Sequence, residues 1–477
     1  MAIEPVRQGT VSQAIRDLAA GLLSRQRAVV DAVARQRAGL DAVGVALDGV
    51  ASRLRALRAA LETLLRPGTL SPFAAMRATS SQPDALEATA SPTAGPGLVE
   101  VAVQQLARRA THASNVYVDG DGLIASQGLG TFTFTLTVAG IDYPVTVTVA
   151  SGDTDAQVLD RVAAAITAAA GDAVSAQRVV TEPGRSRLVV SSLETGTGHK
   201  LVFADPDGLL ARLGIVHATP TAATDTTGGY VAEDLGNHEL DARLTVNGLA
   251  YVRETNTVSD LLPGVTLTLR APTAGSATVQ VAADSGPGLA AVQAFVQAWN
   301  ELIRFARAQS AVDPERHTAG PLAQDLLTRT ALAQLRAQAT ARVASAPAGS
   351  PDSLAALGIR ANRDGTLTIT SEADLAATIA ATPTAVAELF RATDGVASRL
   401  LTLTDQLGGP SGAVASSRAQ ITGRLRVLDG QIARLTERLA AEQARLETRL
   451  ARSEALLQAL TRQQAQIRSV LADLQGG

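Results

Sequence analysis

Five histidines, several closely spaced aspartates, a single lysine and no cysteine are the residues from which this chain could build chemistry. His112, His199, His217, His238 and His317 could hold a metal or move protons. No two of them stand at ligand spacing and no HExxH frame is present, so they read as surface or turn histidines. Asp119-Gly120-Asp121-Gly122 begins like a calcium loop, but the closing acidic ligand belongs at the twelfth position, which is Gly130; the quartet reads as a turn. Asp153, Asp155 and Asp160 fall at the start of an expected helix, where the dipole stabilises carboxylates without any catalytic role. Gly128-Leu129-Gly130 and Gly196-Thr197-Gly198 lack the rest of a phosphate-binding fingerprint, and Lys200 is not in a GKS or GKT context. There is no GxSxG elbow; Ser411 lies in a Gly-Gly-Pro-Ser-Gly linker, and Trp299 sits on the apolar face of an expected helix. Absence of cysteine removes disulfides, thiolate nucleophiles and thiolate metal sites. No nucleophile, base and orienting group stand together in a recognisable constellation, which predicts a protein that is not an enzyme and needs no cofactor.

The strongest pattern is one of assembly. Leu40, Val43, Leu47, Val50, Leu54, Leu57, Leu61 and Leu64 alternate spacings of three and four, which puts all of them on one stripe of a helix. Near the other end, Ile421, Leu425, Leu428, Ile432, Leu435 and Leu439 repeat the spacing, and Leu446, Leu450, Leu457, Leu460, Ile467, Leu471 and Leu474 carry it to the terminus. One class of seam positions slips in phase between Leu435 and Leu450, the drift expected of a 3.6-residue helix on a 3.5-residue pattern, and a bend or change of partner is expected there. Val11, Ile15, Leu18 and Leu22 open the first seam, and Arg25 and Gln36 interrupt it. That stretch is the weaker coil, expected to order on docking. Two seams so far apart predict that the termini pack together or onto helices of a partner.

The chain has 477 residues, enough for about three domains of usual size. It is 46% hydrophobic with only 3% aromatics, so its cores are aliphatic and unlike an aromatic-lined substrate pocket. A net charge of -3, with arginines interspersed among acids, predicts no nucleic-acid partner. Residues 1–23 carry neither a signal-peptide pattern nor a membrane span, and no membrane insertion is expected.

Residues 11–65 read as helix, ended by Arg66-Pro67-Gly68, and 71–97 as an extended crossing with Pro72, Pro83, Pro92 and Pro96. The first clear strand is Leu98-Val99-Glu100-Val101-Ala102-Val103. Phe132, Phe134, Leu136 and Val138 alternate with polar residues, Gly140 turns the chain, and Val145, Val147 and Val149 return as a hairpin. A helix capped by Thr154 or Asp155 and two strands joined at Glu182-Pro183-Gly184-Arg185 follow. More strands come at 244–246, 251–252, 265–269 and 279–281, and from Pro287 the helical period resumes. Later helices are expected at 322–343, after Ser371, from Pro383 and at 395–407, with a small hairpin at 359–369. The reading is an α+β multidomain chain whose terminal helical coiled coil or bundle encloses two nested β-rich head domains. Its parts are 1–39 with 441–477 as a weakly ordered foot, 40–70 with 286–440 as a helical bundle with a small hairpin, 71–115 with 236–285 as a β-rich head domain, and 116–235 as an inserted α+β head domain.

Thr255-Asn256-Thr257-Val258-Ser259-Asp260-Leu261-Leu262-Pro263-Gly264-Val265, continuing to Leu269, resembles the signature stretch of the flagellar hook-associated protein 2 family, the filament cap. Leu86 to Ser91, Val99-Glu100-Val101 with Gln105-Leu106-Ala107, Phe295 to Asn300, Gly320-Pro321-Leu322, Leu357-Gly358-Ile359 and Asp364 to Leu367 resemble the same family, so the likeness covers nearly the whole chain. The resemblance implies a non-enzymatic ring-shaped homo-oligomer at the flagellar tip. Its strand domains would form a plate, its terminal helices legs, and it would help exported flagellin fold and insert while preventing its loss. Flagellin, a hook-filament junction protein and a flagellar export chaperone are the partners it implies. Its place would be extracellular, reached through the flagellar type III apparatus without a cleavable signal. Pro263-Gly264-Val265 reads either as a hairpin turn or as a contact between domains or subunits. Two alternatives stay open: an adhesin whose inserted domain contacts a host surface or mucin, and another axial flagellar or phage-tail structural protein.

Overall fold

The computed structural model describes residues 8–315 and 317–475, with the side chains of Val11, Ile15, Leu18, Leu22, Leu471 and Leu474 outside the described residues. The chain divides into two compact units, Met1–Phe73 with Gly286–Gly477, and Ala74–Ser285.

The first unit is helical. An N-terminal helix, Gln8–Leu64, lies against a C-terminal helix, Ala413–Gln475. Two ion pairs fix their direction: Arg37 with Asp429 at 3.0 Å, and Arg418 with Asp48 at 3.0 Å. Moving up one helix means moving down the other by the same number of residues, so the helices are antiparallel. The N-terminal helix is unbroken through Arg25 and Gln36, and the C-terminal helix is unbroken across the phase slip between Leu435 and Leu450. Helix Ser285–Ser310 packs its Val292, Phe295, Trp299, Leu302 and Ile303 face into the core that Leu47 to Leu64 supply. Helices Leu326–Thr340, Glu372–Ala381, Pro383–Arg391 and Val396–Gly408 close it. Asp325 and Ser371 cap the first two by accepting hydrogen bonds from Thr328 N and Asp374 N.

The second unit holds two cores. One is a two-sheet sandwich. Its larger sheet orders Met76–Ser80, Ala277–Ala283, Gly97–Gln105, Ala242–Val246 and Leu249–Arg253, and its smaller one Thr257–Leu262, Val265–Leu269 and Leu86–Ala90. Val101, Val103, Leu244, Val279 and Val281 of the first sheet share a core with Leu86, Val258, Val265, Leu267 and Leu269 of the second. The segment read as an extended crossing therefore contains two strands. They escape a local reading because their partners are distant: Met76 pairs with Ala283 and Leu86 with Leu269.

The other core belongs to the inserted α+β fold. The hairpin Gly130–Val138 and Ile141–Val149 turns through Ala139 at φ 51° and Gly140 at φ 77°, the left-handed pair that a two-residue turn requires. Strand Val202–Ala204 pairs with its outer edge. Helix Asp155–Ala170 starts in a capping box between Thr154 and Gln157, and buries Val158, Val162 and Ile166 against the strands. A second sheet joins Gly229–Ala232, Arg109–Ala113, Arg185–Thr195, Tyr117–Val118 and Val174–Glu182. Because Arg109–Ala113 already pairs with Arg185–Thr195, this fold begins before residue 116.

Candidate functional site

The seam is graded along its length. Leu47, Val50, Leu54, Leu57, Leu61 and Leu64 are buried, with Leu57 and Leu61 at 0% exposure, while Leu40 and Val43 are partly covered. Opposite them Ile421, Leu425 and Leu428 are buried. Ile432, Leu435, Leu439, Leu446, Leu450 and Leu457 are half-buried, and Leu460 and Ile467 are exposed at 48% and 54%. The ion-pair register sets Gln8 opposite Gln458, so Leu460 and Ile467 lie past the described end of the N-terminal helix. The buried half is the part on which the other helices of the unit pack. A groove of about 550 Å³ runs beside it, floored by Ala51, Gly408, Ala415, Ala419 and Gly423; its Arg418 is tied to Asp48.

The signature stretch folds as a hairpin in the smaller sheet. Its turn, Pro263-Gly264, has Gly264 at φ 75°, and a Cβ there would stand 2.7 Å from both Ala94 N and Ser91 Oγ. The Gly264 carbonyl accepts from Ser91 N at 2.7 Å, so the turn is docked on the segment that follows Leu86–Ala90. Asn256 grips Ala107 on both sides, its Oδ1 accepting from Ala107 N at 2.7 Å and its Nδ2 donating to Ala107 O at 2.9 Å. Asp260 takes Arg253 Nη2 at 2.7 Å and Nε at 3.0 Å, and that pairing holds its carboxyl below the usual carboxylate range. Val258 and Val265 point into the core, while Thr257, Ser259 and Pro263 are exposed. Of the two readings of Pro263-Gly264-Val265, the turn is the one this geometry displays.

Segments that looked alike only as separate motifs meet in space. Trp299, 1% exposed, donates Nε1–H to Gly365 O at 2.9 Å. Asn300 accepts from Leu367 N at 2.7 Å and donates to Leu367 O at 2.8 Å. Trp299-Asn300 thus clasps the hairpin of Ile359–Ala361 and Leu367–Ile369, which lies more than fifty positions along the chain. Ala107 likewise meets Asn256.

Several of the residues considered for chemistry are engaged structurally. Asp119 accepts from Ser186 Oγ, and Asp121 O accepts from Asp155 N at 2.6 Å, closing the Asp-Gly quartet onto the start of helix Asp155–Ala170. Among the described residues no group of three His, Asp or Glu could hold a metal ion. Arg161, 2.6 Å from Asp153, holds that carboxyl down to about 2, whereas burial pushes the Asp155 carboxyl up. His238 and His317 sit in left-handed turns at φ 59° and 51°. His112 departs from the surface-or-turn reading: it is buried in strand Arg109–Ala113, edge-on to Phe203 at 5.2 Å. No local signal marks it, because strand Arg109–Ala113 is defined by pairing with Arg185–Thr195 and Gly229–Ala232 far along the chain.

The family description "flagellar hook-associated protein 2 N-terminus" matches residues 13–110, and "flagellar hook-associated protein 2 C-terminus" matches 240–462. The matches bracket the inserted fold. The B-type flagellar hook-associated protein 2 of Pseudomonas aeruginosa strain PAO1 is 30% identical over 418 residues, which cover 85% of this chain and 85% of that protein. The A-type protein of Pseudomonas aeruginosa is 27% identical over 410 residues, covering 83% and 82%. The D1-D2-D3 domains of the flagellar cap protein FliD from Escherichia coli superpose with a TM-score of 0.54 at 23% identity, over 80% of this chain and 99% of that one, a likeness of fold.

Proposed function

The chain belongs to the flagellar hook-associated protein 2 family, and from that membership we propose that it is a non-enzymatic structural cap at the distal tip of a bacterial flagellar filament. In this reading it assembles as a ring of identical subunits, promotes the folding and insertion of exported flagellin, and prevents flagellin from escaping. It reaches the outside through the flagellar type III apparatus. The observation that carries the reading is the antiparallel pairing of the two terminal helices, which are the two ends of a chain whose residues 74–285 form a separate β-rich unit. In this reading the paired terminal helices are the leg, and the stretch of seam that fades from half-buried at Ile432 to exposed at Leu460 and Ile467 is its apolar face for the structure it stands on.

Deleting the gene tests this. The expected result is loss of filaments with flagellin spilled into the medium, restored by the full-length chain. Normal filaments in the deletion strain reject the cap reading. Negative-stain microscopy of the purified protein is expected to display closed plates with legs.

A further inference from the structure

The chain comes into the inserted fold along strand Arg109–Ala113 and leaves it along strand Gly229–Ala232, which are hydrogen-bonded neighbours. His112 stands on the first of these strands, opposite Tyr230, and Glu233 directly follows the second. The imidazole is nearly inaccessible, at 4% side-chain exposure. Its Nδ1 lies 2.9 Å from Ile215 O, an atom that can only accept, so Nδ1 carries the hydrogen and in the neutral ring Nε2 presents a lone pair. That Nε2 has no hydrogen-bond partner, and the nearest charge is Glu233 Oε2 at 3.9 Å. Two acceptors therefore face each other across a gap that lacks one proton.

We propose that His112 and Glu233 form a proton-operated latch at the root of the inserted fold. With the ring neutral, backbone hydrogen bonds pair the strands that come in and go out, and His112 adds no link to Glu233. When Nε2 takes up a proton, both ring nitrogens become donors: Nδ1 keeps Ile215 and Nε2–H⁺ draws the Glu233 carboxylate inward from 3.9 Å to hydrogen-bonding distance. The room for that movement is a cavity of about 220 Å³ that His112 and Glu233 line together with Lys200, Phe203, His217 and Asp234. Glu233 and Asp234 favour the imidazolium, whereas Lys200 and a protonated His217 oppose it. The strand on the other side of His112 contributes Val190, which carries no charge.

Burial sets the direction of the pH response, because it disfavours the imidazolium and lowers the His112 pKa, with the Ile215 carbonyl and Glu233 pulling the other way. A histidine held neutral in the fold contributes stability that is complete above its unfolded pKa of about 6.5 and is lost as pH falls from there toward the folded pKa. Glu233 limits that loss by raising the folded value. Its role is to keep the root of the inserted fold joined in acid.

The test uses the full-length chain with ¹⁵N-labelled histidine, following the His112 ring nitrogens from pH 8 to pH 4 in the wild type and in Glu233→Gln. The expected result is an Nδ1–H tautomer at pH 8, titration below the ordinary histidine value, and a further downward shift of the midpoint in Glu233→Gln. Hydrogen exchange supplies a second readout: residues 109–113 and 229–234 are expected to lose protection in Glu233→Gln below pH 6 and to match the wild type at pH 8. In His112→Gln that difference is expected to vanish. A midpoint that does not move in Glu233→Gln, or equal protection of both proteins in acid, overturns the latch.

Discussion

Two stretches of the same seam have opposite fates. From Leu47 to Leu64 the apolar residues share a core with helix Ser285–Ser310 and the short helices that follow, and Ile421 and Leu425 of the C-terminal helix join it. From Ile432 onward the apolar stripe continues, with one class of positions slipping in phase, yet burial fades to half and then to exposure at Leu460 and Ile467. A heptad pattern specifies which face of a helix is apolar. Whether that face is covered depends on how many other helices reach it, and two helices alone leave much of each stripe open.

Substitutions along the seam probe the difference directly. Leu57→Ala opens a cavity in the shared core and is expected to cost about 2–5 kcal/mol. Denaturant unfolding followed by the fluorescence of Trp299, buried in the same core, measures it. A loss below about 1 kcal/mol would mean that the two stretches are energetically alike. Half-buried Ile432→Ala is expected to cost roughly 1 kcal/mol by the same assay, in proportion to the smaller apolar area it removes from water. Arg418→Ala breaks a partly exposed ion pair with Asp48; screening holds the loss to about 0.5 kcal/mol or less, and the loss should shrink further in high salt. Leu460→Ala is expected to change monomer stability by no more than about 0.5 kcal/mol. A larger cost there, in dilute protein, would place a covering partner on the exposed stretch.

Local signals were legible where the partners were near in sequence. The hairpin at Ala139-Gly140, the Thr154 cap, the helix after Ser371 and the turn at Pro263-Gly264 all carry their geometry in a few adjacent residue types. Strands Met76–Ser80 and Leu86–Ala90 were not legible, since nothing within five residues announces a partner two hundred positions away. At the slip between Leu435 and Leu450 the helix is not interrupted, and Ala413–Gln475 is continuous across it. In the signature stretch the residue types were plain, but their tasks were not. Asn256 serves Ala107, and Gly264 serves Ser91, both across long stretches of chain.

By itself the sequence determined the periodicities, the caps and turns, the absence of thiol chemistry and the family likeness, because each rests on residue identity at short spacing. Only the tertiary structure decided which half of the seam is a core, which motifs clasp one another, and that His112 is sealed beside a carboxylate at the root of the inserted fold. Those outcomes depend on burial and on pairing across long loops, and neither is a property of any residue's neighbours in the chain.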